Sequence, residues 1–290
     1  MTERPSFTGD GTPIAVTGAT GRLGGRVARR LAAAGVPQRL LVRDPGRAPA
    51  LPGATVARAA FGDRDAVREA LRGIERVLMV SASETPDRVE QHRAFVDAAA
   101  EAGVAHLVYV SFYGAAPDAT FTLARDHWAT ERHIRGSGMA FTFLRDNLYA
   151  DFLPSMVGED GVIRGPAAQG RTAVVAQDDI ADAATAVLLD APEHAGQTYD
   201  LTGPEALTLD EAAAVLTEVT GRRVTYHAET VEEAYRSRAS YGAPDWQVDA
   251  WVSTYTAIAN GELAGVSDAV ERLTGRPATP LDQVVRPVQT

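Results

Sequence analysis

Thr17-Gly18-Ala19-Thr20-Gly21-Arg22-Leu23-Gly24-Gly25 is the stretch that decides the fold. The apolar run Pro13-Ile14-Ala15-Val16 precedes it, and an amphipathic run from Arg26 to Ala34 follows and stops at Gly35. That succession reads strand, glycine turn, helix. Gly18 permits the sharp turn off the strand. Gly21 lets the backbone approach a diphosphate that a Cβ would obstruct, and Gly24 lets the helix pack close to the sheet. The N–H groups at the helix start, aligned with its dipole, favour phosphate. A glycine triad alone is a weak signal; after a strand and at the opening of a helix it specifies a dinucleotide-binding βα unit. Gly18, Thr20, Gly21, Arg22, Leu23 and Gly24 are the expected phosphate-loop residues.

Outward from this unit the chain keeps an α/β rhythm. Arg39-Leu40-Leu41-Val42 reads as a buried strand ending in Arg43-Asp44-Pro45. An acid that holds the ribose 2′-hydroxyl is usual at that strand end. Arg43 stands first here, and a guanidinium suits a 2′-phosphate, so NADP(H) is expected over NAD; Asp44 could still reach a ribose hydroxyl. Thr55 to Phe61 alternates as a third strand. Asp63 after it either caps the next helix or contacts the adenine. Val77 to Val80 is a fourth strand, and Ser81-Ala82-Ser83 at its carboxyl end falls where such sheets bind ligands. His92, on the helix over 86–102, reads as a surface or packing histidine.

Leu107 to Ser111 is the fifth strand, and Tyr113 beyond it is placed to pack on a nicotinamide or give a proton. On the helix from about Phe121 to Arg135, His127 and Glu131 stand at i and i+4, so a charged Glu131 could hold the imidazole. Both a catalytic and a structural pair fit that spacing. Met139 to Leu144 is the sixth strand. Asn147 and Tyr149, in the aromatic stretch after it, are expected to line a substrate pocket. Val174-Val175 and a helix over 178–189 are expected to return to the sheet, followed by a strand at Gln197 to Leu201. Thr208, with Asp210 and Glu211 in the first turn, caps a helix from Leu209 to Thr220. The expected architecture is a Rossmann-type, doubly wound parallel sheet with a smaller, mostly α C-terminal lobe. The dinucleotide domain spans 12–146, with 174–203 returning to it; 147–173 and 204–290 form the substrate-facing lobe.

Composition narrows the chemistry. The formal net charge of −10 over 290 residues argues against nucleic acid or an anionic membrane as partner. Cysteine is absent, which excludes disulfides and thiolate chemistry and fits a reducing cytoplasm. No apolar run approaches the roughly 20 residues that span a bilayer. Residues 1–11 read as a mobile tail without a leader segment. The histidines are scattered without ligand spacing, so no metal is expected. All 28 basic residues are arginine. Schiff-base chemistry and any Tyr-x-x-x-Lys proton relay are thereby excluded.

Taken together, Gly18-Ala19-Thr20-Gly21 with Gly24, Leu41-Val42-Arg43, Phe61-Gly62-Asp63, and above all Leu123-Ala124-Arg125-Asp126-His127-Trp128-Ala129-Thr130-Glu131 resemble the atypical short-chain dehydrogenase/reductases. Phe143-Leu144-Arg145-Asp146-Asn147 and the stretch from Asp178 to Thr220 extend the likeness to the NmrA-like branch, nearest its type-2 NAD(P)H:quinone oxidoreductases. The resemblance covers the chain from about residue 13. Leu123 and His127 occupy the places where extended relatives carry the Tyr-x-x-x-Lys pair. The resemblance implies an NADPH-dependent oxidoreductase acting on a quinone or related conjugated carbonyl. His127 or Tyr113 would then serve the developing oxyanion, with a small-molecule acceptor as partner and a homodimer left open. The branch also holds regulators that bind the dinucleotide without turning it over, so a redox sensor is the alternative.

Overall fold

The computed structural model describes residues 11–286, so the tail expected over residues 1–11 lies, Gly11 apart, outside the described residues. The strands, in chain order, are β1 (Ile14–Thr17), β2 (Gln38–Val42), β3 (Ala54–Arg58), β4 (Arg76–Val80), β5 (His106–Phe112), β6 (Ala140–Asp146), β7 (Val162–Gly165), β8 (Arg171–Thr172), β9 (Thr198–Leu201), β10 (Leu207–Thr208) and β11 (Thr225–Ala228). The helices are α1 (Arg22–Ala33), α2 (Arg64–Ala70), α3 (Arg88–Glu101), α4 (Thr122–Arg135), α5 (Gln177–Leu189), α6 (Leu209–Thr220), α7 (Val231–Arg238), α8 (Asp245–Ala259), α9 (Ala269–Thr274) and α10 (Leu281–Val284).

Seven strands form one sheet in the order β3-β2-β1-β4-β5-β6-β9, and the pairs from β3 through to β5 run parallel. The order reverses between β1 and β4, the switch point at which ligands bind in such sheets. Central β5 is buried at every position, as a strand covered on both faces must be; edge strand β3 is half-exposed. Helix α1 presents Leu23, Val27 and Leu31, with the small Gly24 and Ala28, to the packed face. Each large side chain there contributes roughly 1.5–3 kcal/mol by leaving water.

The chain divides into two units. The first runs to Ser111 and includes Ala129–Leu144 and Ile180–Tyr199. Its core gathers Phe95, Tyr109 and Phe143, with Tyr109 edge-on to Phe143 at 6.3 Å. The second holds Phe112–Trp128, Arg145–Asp179 and the chain from Asp200 onward. Two small two-stranded sheets, β7 with β11 and β8 with β10, accompany its helices. Thr208 and Glu211 close a capping box on α6, and Gly221 ends that helix in the left-handed conformation at φ 68°.

Two boundaries differ from the sequence expectation. Residues 112–128 belong to the second unit, not to a domain over 12–146, because Phe112, Phe121 and Ala124 pack into the second unit's core. Val174-Val175 does not join the main sheet. Val175 forms an isolated bridge to Tyr149, its N–H donating to Leu148 O and its carbonyl accepting from Ala150 N–H.

Candidate functional site

The first unit carries an open crevice of about 750 Å³ at the carboxyl ends of β1 to β4, bordered by Gly18, Thr20, Arg43 and the loop Ser81-Ala82-Ser83. The turn that opens it is built as the glycine spacing requires. Gly18 sits at φ +66°, and its carbonyl accepts the Gly21 N–H at 2.8 Å. Gly21 is the N-cap of α1 and supplies no side-chain cap, so the positive end of the helix dipole at the turn is not met by a capping side chain. A Cβ on Gly24 would stand 2.5 Å from Gly18 O and 2.6 Å from Thr17 O, so α1 meets the end of β1 at a distance only glycine allows. Of the expected phosphate-loop residues, Gly18 and Thr20 border the crevice and Gly21, Arg22, Leu23 and Gly24 do not; Leu23 and Gly24 are buried on the packing face of α1 and hold the turn. Thr17, which the sequence reading passed over, accepts the Val80 N–H on its Oγ1 at 2.8 Å and ties β1 to β4 at the crevice floor.

The loop after β4 is held from α3. The Ala82 N–H donates to His92 Nε2 at 2.9 Å, and Arg88 Nε donates to Ala82 O at 3.1 Å. Because Nε2 accepts, the proton sits on Nδ1 and is donated to Thr130 Oγ1 at 2.9 Å. Burial, with the Arg88 charge beside it, drives the His92 pKa down to about 3, so the ring stays neutral. His92 is therefore no surface histidine. It is fully buried and, with Arg88 one helical turn away, fixes the peptide that borders the crevice.

A second cavity adjoins the crevice through Arg43, Ala59 and Ala60, and adds Arg58, Asp63 and Ala66. Asp63 caps α2, its Oδ1 accepting from Ala66 N–H at 3.1 Å. Asp44 is turned into its own loop and accepts from Gly46 N–H at 3.0 Å. Arg58 was not singled out from the sequence; the signal available was an arginine ending the strand beside β2.

The other expected residues lie in the second unit. Tyr113 packs at the edge of its core, and a Cβ on Gly265 would fall 1.9 Å from the Tyr113 hydroxyl. Burial, with the Asp200 charge next, raises the Tyr113 pKa and keeps the phenol protonated. His127 is buried on α4 with its ring 6.1 Å from that of Phe112. Glu131, in the first unit, accepts the Ser111 hydroxyl at 2.6 Å.

An apolar cavity of about 840 Å³ is walled by Tyr149, Phe152, Leu153, Met156, Leu209 and Ile258. Of the four residues expected to touch substrate, it takes only Tyr149; Tyr113, His127 and Asn147 do not border it. Asn147 as a pocket-lining residue is corrected. It is fully buried, donates to Leu263 O at 3.0 Å, and accepts from Leu148 N–H at 2.8 Å and Thr172 Oγ1 at 3.3 Å. Such an amide joins three segments and offers nothing to a substrate. The Tyr149 hydroxyl donates to Asp146 Oδ2 at 2.9 Å, while burial pushes that carboxyl well above the usual range. A neighbouring cavity shares Met156 and Tyr255 and adds Arg164 and Arg238. Both guanidiniums are neutralised, Arg164 by Asp160 at 2.6 Å and Arg238 by Glu229 at 2.9 Å.

No helix among the described residues is long and apolar enough to cross a membrane. Among them no group of three or more His, Asp or Glu could hold a metal ion.

The strand order, the switch-point crevice and the glycine turn define a Rossmann-type dinucleotide-binding fold. The model of the NmrA-like family matches residues 11–250, and the chain belongs to that family. It is 36% identical to quinone oxidoreductase 2 of Escherichia coli, over 94% of this chain and 97% of that one. It is also 36% identical to the NAD(P)H azoreductase of Xenophilus azovorans, over 91% and 94% of the two chains. Among solved structures, the E. coli NADPH-dependent quinone oxidoreductase QOR2 complexed with NADPH superposes with a TM-score of 0.85 at 35% identity, covering 93% of this chain and 97% of that chain.

Proposed function

We propose that the chain is an NADPH-dependent reductase that passes a hydride to a quinone or a related conjugated carbonyl acceptor. The observation that carries this reading is the crevice at the carboxyl ends of β1 to β4, which Gly18 and Thr20 of the glycine turn and Arg43 border together. Likeness to two reductases over more than nine-tenths of the chain supports it. The residues present fit the dinucleotide: Gly18, Thr20, Gly21 and Arg22 take the diphosphate, Arg43 the 2′-phosphate, and Ser81 to Ser83 the strand-end contact. When bound, NADPH supplies the hydride.

The chain's own groups do the rest. The apolar cavity, walled by Tyr149 and Phe152 and flanked by neutralised arginines, suits a flat, uncharged acceptor. His127 or Tyr113, neither of which walls that cavity, is the candidate hydrogen-bond donor to an acceptor oxygen that reaches beyond it. Tyr113, kept protonated by burial, serves as a hydrogen-bond donor rather than a source of protons. With no lysine in the chain, no Tyr-x-x-x-Lys relay takes part, and aromatisation of a quinone makes a strong acid unnecessary. A reducing cytoplasm, the expected location, suits a chain without cysteine.

The test is oxidation of NADPH, followed by nicotinamide absorbance, across a panel of quinones. Turnover is expected, with His127→Ala slower by about 10-fold or more, the scale of a lost hydrogen bond to a developing charge. Arg43→Ala should weaken NADPH by about 10- to 100-fold and NADH hardly at all. Equal losses for both nucleotides would remove the 2′-phosphate role. Tight NADPH binding without oxidation by any acceptor would replace the reductase by the regulatory reading.

A further inference from the structure

We infer that Arg58 is a second 2′-phosphate ligand, so that the nucleotide's extra charge is gripped by two guanidiniums from adjacent strands. The inference rests on the NADPH reading above and deepens it. β2 and β3 pair in parallel with Val42 opposite Arg58, so Arg43, one residue past Val42, and Arg58 end their strands side by side. Neighbouring strands lie about 4.8 Å apart, so the two arginines leave the sheet from adjacent strand ends. Both arginines border the same cavity, which shares Arg43, Ala59 and Ala60 with the crevice. Among the described residues neither arginine has a hydrogen bond or ion pair, whereas most other arginines near a carboxylate are engaged.

The third charged group at the cavity is Asp63, whose Oδ1 is engaged with Ala66 N–H at the start of α2. Two cations against one capped carboxylate leave a net positive hollow, roomy enough for a phosphate, at the strand ends where the adenosine ribose belongs. A phosphate is close to dianionic at neutral pH, and a planar guanidinium meets it with two parallel N–H donors. Arg43 alone would supply one such fork. Arg58 supplies the second from the adjacent strand and makes discrimination against NADH a two-residue property.

The test is calorimetric titration of the full chain with 2′,5′-ADP and with 5′-AMP, which reads the phosphate site without turnover. Wild type should prefer 2′,5′-ADP. Arg58→Gln should lose about 10- to 100-fold of 2′,5′-ADP affinity, the scale of one charge-assisted pair, and keep its 5′-AMP affinity within about twofold. Arg58→Lys should fall between the two, because it keeps the charge and loses the fork. Added salt should narrow the gap between wild type and Arg58→Gln. Arg58 lies on the surface, so an unchanged melting temperature certifies the variant's fold. If Arg58→Gln binds 2′,5′-ADP as wild type does while Arg43→Gln loses the preference, the second ligand is refuted and the NADPH reading stands. If wild type itself does not distinguish the two nucleotides, both fall.

Discussion

Gly24→Ala puts the central geometric claim at risk. A methyl there would stand 2.5 Å from Gly18 O and 2.6 Å from both Gly18 C and Thr17 O. Ordinary contact is about 3.5 Å, so α1 must retreat from the end of β1 by roughly 1 Å. All three obstructing atoms are backbone, so no rotamer change relieves them. Retreat loosens the packing of Leu23, Val27 and Leu31, all buried. Overpacking of this kind costs about 3 kcal/mol, against a gain of about 1 kcal/mol from replacing a helical glycine by alanine. The net loss of about 2 kcal/mol corresponds to a melting temperature lower by roughly 4–8 °C. NADPH affinity should fall in the same variant, because the displaced turn is the one that opens the crevice. Gly35→Ala is the control. It sits at φ +72° with nothing within 4 Å of its would-be Cβ, so it should cost about 1–2 kcal/mol from backbone strain and leave NADPH affinity alone. A Gly24→Ala protein that melts at or above wild type and binds NADPH normally would refute the close packing of α1 on β1.

Two further outcomes follow from buried groups. His92 and His106 are held neutral, with pKa values of about 3 and about 4 against an ordinary 6.5, so unfolding takes up protons below pH 6.5. Their stabilising contribution is complete above that pH and is lost on acidification, at up to about 1.4 kcal/mol per pH unit for each ring. His92→Gln, whose amide oxygen can still accept the Ala82 N–H, should lose stability about half as steeply as wild type between pH 6.5 and about 5 in urea titrations; equal slopes would mean that His92 is not held neutral. Gly265→Ala should destabilise by about 1–3 kcal/mol, because its methyl collides with the Tyr113 hydroxyl. Adding Tyr113→Phe should restore most of that loss, and a double variant as unstable as the single one would disprove the contact.

The nucleotide half of the molecule is legible in the sequence because its constraints are local. Gly18 is demanded by its own left-handed φ of +66°, Gly21 and Gly24 by backbone atoms of Thr17 and Gly18 just upstream, and Thr208 caps α6 through Glu211, three positions away. What escapes sequence reading depends on distant partners. Asn147 reads as a pocket residue by its position after β6, yet Leu263, Thr172 and Leu148 occupy its amide. Val174-Val175 reads as a strand by composition, but Leu148 and Ala150 engage Val175 before a sheet partner can. Residues 112–128 follow a central strand, and only the packing of Phe112 and Phe121 assigns them to the second unit. Arg58 is marked in the sequence only as an arginine ending a strand; its meaning comes from the register of β3 against β2.

The grip of α3 on the Ala82 peptide sets the entropy of whatever binds beside it. Both backbone groups of that residue are engaged by protein, one by a neutral imidazole and one by a guanidinium, before any guest arrives. A loop already frozen forfeits no conformational freedom on complexation, so recognition there is closer to lock and key than to induced order. The same rigidity makes position 82 a poor place to retune selectivity, since any adaptation of its peptide must first break two bonds to one helix.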